Sequence, residues 1–194
     1  MTQGAMAQGA MTQGAQTKAA ILRAARERFA AQGYERTTIR AVAADAEIDP
    51  SMVMRYFGNK EKLFEAALAV DLRLPDFSAV PARELPAALV DHFVERWEGD
   101  PADDALLVLL RSAVTNERAA ERMREVFASQ VAPALAAAIG PQRAARVAGL
   151  VAAQLLGLGL TRYLLRLPSV TALDRQDLVS ALAPALAATL TASG

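Results

Sequence analysis

The chain has 194 residues, 53% of them hydrophobic, with 21 basic against 21 acidic side chains and no cysteine. That much apolar material supports a sizeable core and excludes wholesale disorder. The lack of cysteine and the single histidine exclude disulfides, thiolate metal sites and histidine cages, so no metal or cofactor is expected.

Residues 1–15 are three near-copies of a pentapeptide, MTQGA, MAQGA and MTQGA. An uncharged tract with glycine at every fifth position cannot bury enough surface to offset its ordering entropy, so a disordered arm is predicted. It has no Lys or Arg to meet phosphate and reads as a solvated leader rather than a DNA-touching arm. It also lacks the basic start and apolar run of a secretory signal. Helix 1 is predicted over about 16–32, with Ile21, Leu22, Ala25 and Phe29 as its apolar stripe and Gly33 as its stop.

Residues 37–64, TTIRAVAADAEIDPSMVMRYFGNKEKLF, read as two short helices joined by a tight turn and followed by the start of another. That is the layout of a helix-turn-helix DNA reader. Thr37 is the expected N-cap of the first helix, and Ile39, Val42 and Ala43 face its core. Ile48 plugs the turn, and Asp49-Pro50 starts the second helix with a side-chain acceptor at the N-cap and proline at the first helical position. Val53 and Phe57 point inward. Ser51, Met52 and Arg55 are then the candidates for base edges, because the early part of a recognition helix reaches the groove floor. Arg40, Lys60 and Tyr56 are phosphate candidates, and Thr38 joins them at a helix N-terminus, where unpaired N–H groups attract anions. Charge helps little, since residues 16–74 carry ten basic and eight acidic side chains and residues 75–194 eleven and thirteen.

These residues resemble the amino-terminal domain of the tetracycline-repressor (TetR) family of bacterial transcriptional regulators. The resemblance is carried by Phe29, Gly33-Tyr34, Thr37-Thr38-Ile39, Val42-Ala43 and the run from Tyr56 through Gly58-Asn59-Lys60-Glu61-Lys62-Leu63-Phe64. It is close over residues 17–72 and only an all-helical outline beyond. Two departures stand out: Glu47, where the family usually has glycine in a turn, and Met54, where it commonly has tyrosine. The resemblance implies a ligand-responsive homodimer, most simply a repressor, on a pseudo-palindromic double-stranded DNA operator. It further implies release by a small-molecule effector and a moving helix after the reader, predicted over about 60–73. The departures keep an alternative open: a helical dimeric module with a degenerate reader, acting through a protein partner or as a ligand sink.

The expected organisation is all-α, with the arm over 1–15, a three-helix helix-turn-helix domain over 16–74, and a larger helical ligand-binding and dimerisation domain over 75–194. Prolines and small residues over 75–86 read as a linker. Helices follow over about 84–98, 101–115, 117–139, 141–167 and 174–191, with kinks expected at Pro133 and Pro184. In the fourth, Gly149, Ala153 and Gly157 make a smooth groove along an otherwise apolar helix that must be buried all round. In the last, Leu178, Leu182, Leu186 and Leu190 form a second stripe. Together they read as half of a four-helix homodimer interface, with a monomer core as the alternative.

For a small apolar or amphipathic effector, the polar candidates are His92, Trp97, Arg111, Gln154 and Tyr163, with Asn116 and Arg162 nearby in sequence. Each alone could equally be structural, Arg162 as an ion pair. Gln154, a lone amide in an apolar run, needs a partner from a ligand, a neighbouring helix or another subunit. No nucleophile, histidine pair or phosphate loop points to catalysis, and a non-enzyme is expected. No uncharged run, residues 147–161 included, reaches the roughly 20 residues that cross a bilayer. No membrane partner and a cytoplasmic residence are therefore expected.

Overall fold

Ile21, Ala25 and Phe29 recur at helical spacing and are all buried, fixing the inward face of α1 (Gln13–Arg36). The structure is a computed structural model that describes residues 13–99 and 105–192, and every regular element among them is helical. α1 begins inside the tract expected to be disordered: Gln13, Gly14 and Ala15 form its first turn, while the first twelve residues lie outside the described ones. Towards its end Gly33 (φ 76, ψ 177) breaks the helix in a conformation open to glycine and costly to other residues. The break turns Tyr34 back, so that its ring lies 6.2 Å from Phe29 and 4.9 Å from Phe64. Thr37, the expected N-cap, is instead buried and donates its hydroxyl to the Gly33 carbonyl at 2.9 Å. The carbonyl at the break needs a donor, and the cap moves on by one residue. Thr38 Oγ1 accepts from Ala41 N at 3.2 Å and caps α2 (Ile39–Asp45).

α3 (Pro50–Phe57) starts where Asp49 and Pro50 set it, with Asp49 Oδ1 accepting from Ser51 N at 2.8 Å and Val53 and Phe57 buried. α4 (Lys60–Ala67) is capped by Asn59, whose Oδ1 accepts from Lys62 N at 2.8 Å, and buries Leu63, Phe64 and Ala67. It ends at Ala67, six residues short of the expected Arg73. Arg26 Nε donates to the Ala67 carbonyl at 3.2 Å, satisfying a terminal acceptor that another helical turn would have used. The chain divides between Ala67 and Leu68 into two compact units.

In the second unit residues 69–76 have no regular structure and are called the strap here. Its bend is an Asx-turn, Asp71 Oδ1 accepting from Arg73 N at 2.9 Å, with Arg73 at φ 50. Phe77, in the short 3-10 turn Phe77–Ala79, is buried, so the stretch expected as a linker is partly core. Then come α5 (Leu85–Glu98), α6 (Ala105–Ser112), α7 (Glu117–Val126), α8 (Ala132–Ile139), α9 (Pro141–Gly159), α10 (Pro168–Thr171) and α11 (Arg175–Thr191). α5 packs along α11, and α8 along α9. Arg175 pairs with Asp91 and with Glu95 (3.3 Å), tying α11 to α5, and its hydrogen bond holds the Asp91 carboxyl below the usual range.

Between α7 and α8 the chain makes a π-turn, Phe127–Val131, just ahead of Pro133. The wider turn accommodates the ring and the missing N–H of the proline. A second π-turn, Leu160–Leu164, follows α9, while α11 continues through Pro184. The run Pro141–Leu164 is long and apolar enough to cross a membrane by length and composition alone, more than its uncharged part suggested. Its inward residues Ala144, Val147, Ala148, Val151 and Leu158 lie in the core of this unit.

The two stripes expected at a dimer interface are placed differently. Leu178 and Leu186 are 2% and 0% exposed within the single chain, and Leu182 packs half-buried on the same core. Periodicity marks an apolar stripe but not what covers it, and here α5 and α9 pack on α11. The outward face of α11 carries Ala181, Ala185 and Ala188. On α9, Gly149, Ala153 and Gly157 are exposed beside Leu150, so that helix is not buried all round but has one bare, smooth face.

Candidate functional site

Two places in the chain carry chemistry that packing alone does not require. The first is the outer surface around α3. Ser51, Met54 and Arg55 are exposed, Met52 and Tyr56 half-buried. The Asp49 carboxyl that starts the helix is held below its usual range by its hydrogen bonds from Ser51, and so stays an acceptor. Glu47 makes the turn at φ 55, so the missing family glycine does not dismantle the motif. Arg40 is exposed on α2, and the Thr38 hydroxyl, spent as an acceptor in the cap, keeps its proton for another group. The Arg55 guanidinium carbon sits 5.5 Å from the Tyr56 ring centroid. Tyr56 reaches the start of α1, where a Cβ on Gly14 would lie 3.3 Å from its hydroxyl. Lys60 is engaged within its unit: Nζ lies 4.2 Å from the Tyr34 ring centroid and donates to the Glu35 carbonyl at 3.3 Å. One N–H of its ammonium is spent on that carbonyl, which leaves a donor for a phosphate.

The second place is a cavity of about 150 Å³ inside the second unit. Leu72 and Leu74 of the strap form one wall with Phe77, and α5 supplies His92, Phe93, Arg96 and Trp97. Apolar residues of α6, α7, α8 and α9 and of the first π-turn close the rest. Gln130, Arg96 and His92 hold the strap. Gln130 accepts from Leu72 N at 2.8 Å and donates to the Val70 carbonyl at 3.0 Å. Arg96 Nε donates to the Asp71 carbonyl at 2.9 Å, and His92 Nε2 bonds the Leu72 carbonyl at 3.0 Å. With a carbonyl as partner, the Nε2–H tautomer is the one that fits. His92 and Arg96 are one helical turn apart on α5, and both face the strap and the cavity.

Of the residues singled out from the sequence, the structure brings His92 and Trp97 together on the wall. Tyr163 stands behind Trp97, its ring stacked at 4.7 Å and 3°, and donates its hydroxyl to Glu98 Oε1 at 3.0 Å. Burial, and then the Glu98 carboxylate, push the Tyr163 phenol well up, which keeps it a donor. Arg162 pairs with Glu98 at 2.9 Å and donates to the carbonyls of Val170 and Leu173. Arg111 is exposed on α6 and off the wall, and Asn116 caps α7. Gln154 turns its amide to α11, Nε2 donating to Thr189 Oγ1 at 2.6 Å, and leaves Oε1 buried without a partner. Sequence reading passed over Arg96, Phe93 and Gln130. The four-residue spacing from His92 was a signal for Arg96, but nothing local marks Gln130, whose bonds span 58 and 60 residues.

A helix-turn-helix unit followed by a larger helical unit with an internal apolar cavity is the architecture of a helix-turn-helix transcription regulator. The sequence profile of bacterial regulatory proteins of the tetR family matches residues 21–67, and that of the Tetracyclin repressor-like C-terminal domain matches residues 84–190. The chain therefore belongs to the TetR family of transcriptional regulators. Among solved structures it is similar to a TetR-family regulator of Streptomyces coelicolor A3, at 26% identity and TM-score 0.63, covering 95% of this chain and 100% of that one. GusR of Salmonella enterica is 20% identical with TM-score 0.70, covering 94% and 99%. EbrR, a multidrug binding protein seen in complex with imidazole, is 23% identical with TM-score 0.61, covering 87% and 89%. No protein with a curated description matches the chain.

Proposed function

We propose that this chain is a homodimeric repressor that binds a pseudo-palindromic operator and is released by a small, largely apolar effector held in the second unit. The observation that carries this reading is the wall shared by the cavity and the strap. Leu72 and Leu74 line the cavity, and the segment they belong to is the direct continuation of α4. An occupant that binds better when the strap is displaced shifts the population away from the DNA-competent form, and linkage makes operator and effector oppose one another. EbrR, of similar fold, is described as binding multiple drugs, which fits an apolar cavity here as well.

On the DNA side, Ser51, Met52 and Arg55 are the base readers in this reading, and Thr38, Arg40, Tyr56 and Lys60 the phosphate contacts. Arg55 could bond guanine twice, a contact worth about 1–3 kcal/mol of discrimination. The second copy docks on the bare face of α9, at Gly149, Ala153 and Gly157, beside the small outward residues of α11. The protein acts by binding rather than catalysis, in the cytoplasm. In a gel-shift series at about 150 mM salt, the region upstream of its own gene is expected to bind at least a hundredfold more tightly than random DNA. Equal affinity for both would leave the degenerate-reader alternative as the better account.

A further inference from the structure

Gly159 ends α9 in ordinary helical geometry (φ −55, ψ −46), where any residue fits the backbone. Glycine is the poorest helix former after proline, so its place here calls for a packing reason. Gly149 and Gly157 on the same helix give none, since a Cβ at either meets nothing within 4 Å. At Gly159 a Cβ would lie 3.2 Å from Trp97 Cζ2, 3.3 Å from Phe93 Cζ and 3.7 Å from Leu110 Cδ2. All three of those side chains line the cavity. Trp97 is covered on one face by Tyr163, which Glu98 holds in place, so the room left for it to move into is the cavity itself.

We infer that Gly159 sets the size of molecule the cavity admits, by letting Trp97 and Phe93 stand back against α9. The occupant it selects is a compact aromatic molecule of one or two fused rings. The cavity holds about 150 Å³, and Phe77, Phe93, Trp97 and Phe127 offer ring faces and edges around it. This rests on the effector reading above and adds to it a class of ligand and the residue that limits it.

The test compares benzene with 1-aminonaphthalene, whose fluorescence reports binding directly and whose displacement reports benzene. Gly159→Ala is expected to weaken 1-aminonaphthalene about tenfold, the scale of one methyl group forced into a packed site, and benzene less than twofold. Benzene binding kept by Gly159→Ala shows that this variant is folded, and Trp97→Phe added to it is expected to restore the larger probe. Equal losses for both probes, no loss for either, or no recovery in the double variant would overturn the role of Gly159 and leave the effector reading standing. If neither probe binds the unaltered protein, the aromatic class falls. Should no other apolar compound raise its melting temperature either, the effector reading falls with it.

Discussion

Glu47 is one of two residues at which this reader departs from the family pattern it resembles, and the structure gives that departure a physical size. A side chain at φ 55 costs about 1–2 kcal/mol against the right-handed region, a penalty glycine avoids while losing more chain entropy on folding. Glu47→Gly is therefore expected to stabilise the amino-terminal unit by up to about 1 kcal/mol, read as a melting temperature a few degrees higher with unchanged helix content. A lower melting temperature would mean that the Glu47 side chain makes a contribution larger than its backbone strain. Single residues were legible in the sequence where their partners are close by. Asp49 caps its helix through Ser51, two residues ahead, and short-range rules suffice for that. Thr37 was misplaced because its acceptor depends on the Gly33 break, and the contacts of Lys60 within its unit went unread because its partners, Tyr34 and Glu35, come from another element.

Among the elements, the π-turn Phe127–Val131 has two tasks. Phe127 and Val131 line the cavity, while Gln130 from the same turn holds the strap through both a donor and an acceptor. An extra residue in a helical turn re-aims side chains, and here that allows neighbours in sequence to serve the cavity and the strap together. Gln130→Leu leaves the Leu72 N–H and the Val70 carbonyl without these partners, at a cost of about 1–3 kcal/mol in local stability. Amide exchange at Leu72 is expected to speed up about tenfold or more, with exchange in the core of α9 unchanged. Exchange at Leu72 as slow as in the unaltered protein would show that His92 and Arg96 hold the strap without help. The sequence shows α7 and α8 as one helix with a proline in it. The role of the turn was hidden because it depends on a strap nearly sixty residues away.

For the whole molecule, the question is what a single chain leaves uncovered. Helical periodicity assigned both the glycine-alanine stripe of α9 and the leucine stripe of α11 to a partner copy, because each is apolar and neither carries a label for what packs on it. Folding separates them: Leu178 and Leu186 go to the core of their own unit, and Gly149, Ala153 and Gly157 stay outside. The open space at Gly157 makes a clean test of dimerisation. A Cβ there meets nothing within 4 Å in its own chain, so Gly157→Arg has room without disturbing the fold, yet it places a long charged side chain where a second α9 would approach. The variant is expected to sediment as a monomer with full helix content. Two tethered reading heads gain roughly 10²–10⁴ in affinity over one, so its hold on a palindromic operator should fall by a factor in that range, while its affinity for a single half-site stays the same. A variant that is still dimeric, with operator affinity intact, would move the interface off α9 and leave the exposed glycines of that helix without an explanation.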